Sequence, residues 1–152
     1  MHESWKSFWM RLLFNVFPAY RGTGGRITLI SHDLREMRVK IPLNWRTRNY
    51  VGTIFGGSLY GAVDPMYMLM LIKILGPDYV VWDKSASIQF VKPGQTTLYA
   101  TFHVSEQETE EIKKALESER SVDRVYQIEL VDKEGEVHAV VEKKIFIKRK
   151  AS

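Results

Sequence analysis

The spacing of apolar residues near the N-terminus predicts an amphipathic helix over residues 3–17. Its apolar side chains recur three and four positions apart and so share one face: Trp5, Phe8, Trp9, Leu12, Leu13, Val16 and Phe17. Pro18 should end this helix, because proline cannot donate a backbone hydrogen bond. We expect the apolar face to pack against the body of the protein or a second subunit. A lid over a bound ligand and a contact with a membrane surface are the alternatives.

The longest apolar stretch predicts one buried helix over residues 54–75. Its second half is apolar nearly all round, which is typical of a helix enclosed by other structure. Pro65 should bend the helix just after Asp64, and Gly76 should end it.

Alternation of apolar and polar positions predicts six β-strands in the rest of the chain. They cover residues 26–30, 34–41, 79–91, 96–105, 122–132 and 136–148. Turn residues between the third and fourth strands, and between the fifth and sixth, predict two hairpins. Residues 106–119 predict a surface helix that begins after a Ser105 cap, with Glu108 at the capping-box position.

One apolar helix with six strands to cover it indicates an α+β fold. We expect a curved antiparallel six-stranded sheet wrapped round the long central helix. The length of 152 residues is that of one domain. Within a single domain over residues 1–152, we expect the N-terminal helix in residues 1–20 and the sheet with its central helix in residues 26–148.

The composition excludes several kinds of chemistry. The chain has no cysteine, so it can form no disulfide and use no thiolate. Its histidines lack the spacing of metal ligands, and we therefore expect no metal site: His2, His32, His103 and His138. No apolar run appeared as long as the ~18 residues of a membrane span. These observations predict a cytoplasmic protein without a transmembrane segment or a signal peptide.

The net charge of +4 permits an anionic partner. Much of the excess positive charge lies near the C-terminus: Lys143, Lys144, Lys148, Arg149 and Lys150. A solvated strand end is one interpretation, and attraction of a phosphorylated ligand such as coenzyme A is the other. No nucleic-acid-binding motif is present, and we expect no nucleic acid partner.

The most informative segment runs from Asn49 through Gly56-Gly57 to Asp64. A Gly-Gly pair at a helix start leaves backbone N–H groups uncovered, which suits an anion or an oxyanion. Asp64 lies about two helical turns further on, inside an apolar run. Donors for a developing negative charge and a partly desolvated carboxylate are what hydrolysis of an acyl compound requires.

These residues resemble those of a known family. The order of elements and the pattern Asn49-x-x-Gly52-x-x-Phe55-Gly56-Gly57, with Asp64 seven positions later, resemble the hotdog-fold acyl-CoA thioesterases of the phenylacetate-pathway type. The resemblance covers roughly residues 26–148. Residues 79–85 and 90–94 are similar to a branch of that superfamily that lacks the motif histidine.

The resemblance implies a role for each matching residue. Asp64 would be the general base or the nucleophile, Gly57 the backbone donor to the thioester carbonyl, and Asn49 the orienting amide. Gly56 would line the substrate site. Asp83 aligns with a polar side chain that related enzymes place near the catalytic acid, and a solvated strand residue is the alternative. The resemblance also implies a site between two subunits, and therefore a homodimer or a dimer of dimers. No cofactor is expected beyond the coenzyme A of the substrate.

Phe55 departs from the family pattern, which has histidine at this position. A phenyl ring cannot carry a proton, so the same site can also be that of a non-catalytic protein that binds acyl groups or acyl-CoA. A hotdog dehydratase or isomerase is a third interpretation, although that chemistry usually uses a histidine in the site.

Lys84 falls on the face of its strand that alternation predicts to be core-like, together with Val80, Trp82, Ala86, Ile88 and Phe90. An unpaired buried lysine is costly. We therefore expect either an ion pair with Asp64, which would make that carboxylate a poorer base, or a β-bulge that turns Lys84 outward. Lys84 and Phe55 are counted with Gly56 and Asp83 as candidate substrate-binding residues.

Overall fold

The computed structural model describes residues 2–151, and its elements follow the predicted order closely. The helices are α1 (Trp5–Val16), α2 (Pro18–Gly22), α3 (Gly56–Val63), α4 (Met66–Leu75) and α5 (Glu106–Ser118). The strands are β1 (Arg26–Ile30), β2 (Glu36–Ile41), β3 (Tyr79–Phe90), β4 (Leu98–His103), β5 (Val122–Val131) and β6 (Val137–Arg149). All six predicted strands are present, and the predicted surface helix is α5.

The six strands form one antiparallel sheet in the order β1-β2-β4-β5-β6-β3. The inward-facing residues of the sheet and the central helices α3 and α4 share one apolar core. Its fully buried members include Met66, Met70, Leu71, Phe102 and Ile128. This is the predicted α+β hotdog architecture, a curved sheet round a central helix, and the prediction is confirmed.

One of the two predicted hairpins is wrong. β5 and β6 form the expected hairpin, but β3 and β4 are not neighbours: β3 pairs with β6, whereas β4 lies between β2 and β5. The turn between β3 and β4 is anchored elsewhere, since the N–H groups of Val91 and Lys92 both donate to the His138 carbonyl. Turn residues specify a change of direction, and hydrophobic burial selects the partner strand.

The central helix is interrupted where the sequence predicts a bend. α3 ends at Val63 and α4 begins at Met66, so Asp64 and Pro65 occupy the break. α4 ends at Gly76, whose φ of 89° favours glycine. By length and composition alone, residues 56–75 could cross a membrane. This is weak evidence for a membrane span, because half of the stretch is buried as the core helix of the sheet.

The orientation of α1 differs from the simplest expectation. Its inner face consists of Ser7, Met10 and Phe14, whereas the predicted apolar face points outward, with Trp5 75% exposed. Polar contacts fix this orientation, because the Asn15 side chain bonds both the N–H and the carbonyl of Ile27 in β1. The prediction that the apolar face packs against the body is therefore wrong, and its other interpretations stay open.

Candidate functional site

Asp64 lies in the break between α3 and α4, with its side chain 40% exposed. Its backbone N–H still donates to the Tyr60 carbonyl at 2.9 Å, so α3 holds it in place. The Tyr60 hydroxyl, one turn earlier, donates to Asp64 Oδ1 at 2.6 Å. Burial raises the pKa of Tyr60, and its hydrogen bond to the Asp64 carboxylate raises it further. Tyr60 is therefore a neutral donor at neutral pH.

A buried lysine from β6 joins Asp64 to the opposite strand. Lys143 has only 1% of its side chain exposed, and its Nζ lies 2.5 Å from Asp64 Oδ1 and 2.9 Å from Asp83 Oδ2. Burial acts to lower the pKa of Lys143, but hydrogen bonds to the two carboxylates outweigh burial and raise that pKa above the usual lysine value. Lys143 is therefore charged, and Asp83 lies in the same group of side chains as Asp64.

Lys84 does not belong to this group, so the expected Lys84–Asp64 pair is wrong. The register of β3 against β6 shifts between Asp83 and Ser85, and this bulge turns Lys84 outward. Its Nζ forms an ion pair with Asp123 Oδ2 at 2.8 Å on the outer surface. The alternative prediction of a bulge is confirmed. The predicted core-like face is wrong for Trp82 as well, which is half exposed and stacks on Phe146.

The Gly-Gly pair begins α3, as the sequence predicts. The first amide to donate within this turn is that of Ser58, to the Phe55 carbonyl at 2.9 Å. The preceding N–H groups of Gly56 and Gly57 stand at the open end of the helix. The Phe55 ring packs so closely on Gly57 that a Cβ there would lie 2.3 Å from the ring. The Phe55 ring therefore lies against Gly57 at the helix start, at the position where the family pattern has histidine.

Asn49 lies near Gly56 but not near Asp64. Its Oδ1 accepts the N–H groups of Val51 at 3.1 Å and Thr53 at 3.0 Å, and its Nδ2 donates to the Thr53 hydroxyl at 2.9 Å. These bonds close the loop before α3. Asn49 and Gly56 line one cavity, and Asp64 lines another. Within one copy of the chain, the start of α3 and the Asp64 carboxylate therefore lie at different cavities.

The cavity at Asp64 is almost wholly apolar and has a volume of about 460 Å³. Side chains of α1, α2 and α4 form its walls: Phe14, Phe17, Tyr20, Met66 and Leu69. Tyr20 is fixed by a hydrogen bond from its hydroxyl to the Ala62 carbonyl at 3.1 Å. The N-terminal segment therefore forms one wall of the space beside the carboxylate, and Phe17 is the residue of the predicted apolar face that lines it.

The β5–β6 hairpin gathers one group that could hold a divalent cation. The ligand atoms of Asp132, Glu136 and His138 lie within 4.8 Å of one another. His138 contacts the Pro93 carbonyl and Asp132 Oδ2, both at 3.0 Å, while Glu136 pairs with Lys92. These contacts tie the hairpin to the turn after β3. The expected absence of a metal site stays a prediction.

Sequence comparison identifies the family. The family model described as a domain of unknown function, DUF4442, matches residues 6–147. The chain belongs to the DUF4442 family. No curated protein has a sequence that matches the chain.

Solved hotdog structures are similar to this DUF4442 protein, and several of them are named as thioesterases or probable thioesterases. A probable thioesterase from Pseudomonas aeruginosa has a TM-score of 0.83 at 14% identity, over 99% of this chain and 100% of that chain. A thioesterase from Haemophilus influenzae has a TM-score of 0.68 at 13% identity, over 98% of this chain and 93% of that chain. The PaaI protein from the phenylacetic acid degradation operon of E. coli has a TM-score of 0.62 at 18% identity, over 95% of this chain and 94% of that chain. The expected hotdog fold is thereby confirmed.

Two residues at Asp64 escaped the sequence analysis of this DUF4442 protein. Lys143 belongs to the basic segment for which the sequence left two interpretations, a solvated strand end or attraction of a phosphorylated ligand, and its burial excludes a solvated position for this residue. Its position between Val141 and Ile145, both fully buried, was the available signal, because alternate residues of a strand share one face. Tyr60 precedes Asp64 by four positions, the spacing at which helical side chains meet.

Proposed function

We propose that this DUF4442 protein is a cytoplasmic thioesterase that hydrolyses an acyl-CoA at a site between two subunits. The observation that carries the proposal is the Asp64 carboxylate at the edge of a half-open apolar cavity. Such a cavity suits an acyl group, and a carboxylate at its edge suits activation of water.

Asp64 is proposed as the general base. Both of its recorded hydrogen bonds, from Tyr60 and Lys143, end on Oδ1. Oδ2 accepts none from the described residues 2–151, and it is the oxygen that would take a proton from the attacking water. Tyr60 and Lys143 also fix the carboxylate in orientation, as general-base catalysis requires.

Gly57 is proposed as the donor that stabilises the oxyanion. Its N–H stands at the start of α3, where the helix dipole favours negative charge. Gly57 precedes Asp64 by seven residues, which is about 10 Å along a helix at 1.5 Å per residue. One carbonyl cannot contact both groups at that separation. The helix start of one subunit and Asp64 of its partner can meet, and this supports a dimeric site with Asn49 holding the loop.

The sheet edges indicate where a second copy would bind. The β1 edge is covered, since Asn15 bonds Ile27 and the Glu3 carboxylate accepts the Ile30 N–H. β3 is the other edge, twelve residues long and mostly exposed. A long uncovered edge favours pairing with another strand. Because Asp83 on β3 bonds Lys143, a dimer through β3 would lie beside Asp64.

A non-catalytic protein that binds acyl-CoA is the second candidate. The ion pair between Lys143 and Asp64 favours it, because Lys143 already occupies one oxygen of the carboxylate. Phe55 at the helix start favours it as well, since the ring offers neither a donor nor an acceptor.

Release of free coenzyme A across a panel of acyl-CoA chain lengths distinguishes the two candidates. The thioesterase proposal predicts multiple turnovers with a preferred chain length, which the cavity volume would set. Calorimetric binding of the same acyl-CoA panel is measured in parallel. Tight binding without turnover at any chain length would contradict hydrolysis and support the binding protein.

A further inference from the structure

A second groove, on the other side of α1, is strongly basic. It has a volume of about 520 Å³ and is lined by five cationic side chains and no acidic one: Arg11, Arg21, Arg26, Lys40 and Arg46. Only Arg11 has an acidic partner, the Glu3 carboxylate at 2.7 Å and 2.9 Å. Within residues 2–151, the other four cations form no ion pair.

The fold places like charges of this groove next to each other. Arg26 of β1 and Lys40 of β2 are directly paired across the two strands. Like charges in that position destabilise a sheet. Arg46 is held towards the same groove, since its Nη2 donates to the Arg21 carbonyl at 3.1 Å. An arrangement that concentrates repelling cations in a concave surface is stabilised when an anion binds there.

We infer that this groove binds the phosphate groups of the coenzyme A part of the substrate. The inference rests on the proposed function, and it adds a subsite that the Asp64 cavity does not contain. Coenzyme A carries its phosphates at one end of a long neutral arm and its thioester at the other. The groove and the apolar cavity share Ile27 in their walls, so they lie on adjacent surfaces. Arginine and lysine are the side chains that bind phosphate esters.

Steady-state kinetics with paired substrates test the inference. The double variant Lys40→Gln/Arg46→Gln removes two groove cations, and Lys148→Gln/Arg149→Gln removes two from the basic end of β6. Each is assayed with an acyl-CoA and with the corresponding acyl-pantetheine, which lacks the phosphates. We expect the groove variant to raise KM for acyl-CoA about tenfold, the equivalent of 1.4 kcal/mol. KM for acyl-pantetheine should stay unchanged, and the β6 variant should behave as wild type. Equal increases for both substrates, or an effect confined to the β6 variant, would overturn the inference.

Direct binding keeps the test independent of turnover. Adenosine 3′,5′-bisphosphate is titrated calorimetrically into wild type and into the groove variant, and the melting temperatures of both are measured. Wild type should bind with an affinity that falls as salt rises, and the variant should bind at least tenfold more weakly. The variant should melt no lower than wild type, because it loses repulsion. If wild type hydrolyses nothing yet binds the nucleotide through Lys40 and Arg46, the proposed hydrolysis fails and the groove assignment stands. If wild type instead binds phosphatidylglycerol vesicles but not the nucleotide, the groove assignment is overturned.

Discussion

At the scale of single residues, Lys143 sets the charge around Asp64. One ammonium group lies between two carboxylates, Asp64 at 2.5 Å and Asp83 at 2.9 Å, which leaves the group with a net negative charge. Because Lys143 is inaccessible to solvent while Asp64 is partly exposed, water can reach the carboxylate but not the lysine. This asymmetry allows Asp64 to accept a proton while its position stays fixed.

Replacing Lys143 by methionine should lower stability, because Asp64 and Asp83 would then face each other without a cation. We expect a loss of about 1–3 kcal/mol at neutral pH, less than for a fully buried pair because both carboxylates retain some contact with water. Chemical denaturation measures it, and Lys144→Met on the same strand is the control. A variant as stable as wild type would show that the ion pairs contribute nothing net.

The pH dependence of that loss has a definite sign. The pKa of Lys143 is raised in the folded protein, so its stabilisation is complete below the usual lysine pKa of about 10.4. It is lost as the pH rises through the higher folded pKa. The stability difference between wild type and Lys143→Met should therefore be constant near neutrality and shrink above about pH 10.5. A difference that shrinks near pH 7 would contradict the raised pKa.

Gly57→Ala tests the helix start. The added Cβ would displace the Phe55 ring, while alanine is a better helix former than glycine. Alanine keeps the backbone N–H, so the effect comes from the displaced ring, which would obstruct access to that donor. We expect turnover to fall at least tenfold, with the melting temperature unchanged or higher. Complete loss of one oxyanion donor, at about 10²–10³, sets the upper limit. The double variant Phe55→Ala/Gly57→Ala removes the clash and should recover activity. If Gly57→Ala alone has wild-type turnover, the helix start is not the oxyanion site.

The residues at Asp64 were only partly predictable from the sequence. Gly57 and Asp64 could be placed at the two ends of one helix because their spacing is local. Strict alternation placed Lys84 in the core, and the sequence left two alternatives there, an ion pair with Asp64 or a β-bulge that turns Lys84 outward. The bulge at Asp83 shifts by one residue which side chains of β3 face the core. The lysine that pairs with Asp64 is instead Lys143 of β6. A bulge changes which side chains face inward without leaving a clear mark in the sequence.

At the scale of elements, close contact between the start of β1 and α3 sets the position of the N-terminal helices. A Cβ on Gly25 would lie 2.5 Å from the Cβ of Ala62, which is fully buried in α3. Gly25 lies in the segment that connects α2 to β1, and Tyr20 of α2 forms part of the cavity wall. The shape of the cavity therefore depends on this glycine.

Gly25→Ala should destabilise the protein by about 1–3 kcal/mol, because overpacking forces the backbone apart. Gly22→Ala is the matched control: nothing lies within 4 Å of its added Cβ, and its melting temperature should stay at the wild-type value. Differential scanning calorimetry compares the two variants. Equal melting temperatures for both would contradict the close approach of β1 to α3.

The existence of each element except α2 followed from local patterns, whereas strand pairing did not. Period-two alternation and turn residues identified all six strands, and Ser105 caps α5 as predicted by accepting the Glu108 N–H. The Glu108 side chain, however, accepts the Tyr126 hydroxyl and does not return to the cap. The separation of β3 from β4 likewise depends on contacts between residues far apart in sequence, which a local pattern cannot carry.

At the scale of the whole molecule, the proposed site between two subunits requires a dimer that forms through the β3 edge. Placing lysine at both Ser85 and Ser87 brings like charges towards the same edge of a second copy, which opposes pairing. We expect wild type to sediment as a dimer or tetramer, and the double variant to shift towards monomer and to lose turnover. Ser118→Lys, at the exposed end of α5, should sediment as wild type. A wild-type monomer across the accessible concentration range would contradict the shared site.

The most direct test of the central claim is the turnover number of Asp64→Asn with the best acyl-CoA substrate. The amide keeps the size of the carboxylate but cannot accept the proton of the attacking water. Asp123→Asn, which removes the outer partner of Lys84, is the matched control. The account predicts a loss of about 10²–10⁴ for Asp64→Asn and wild-type turnover for Asp123→Asn. Turnover of a folded Asp64→Asn variant within a few-fold of wild type would contradict it.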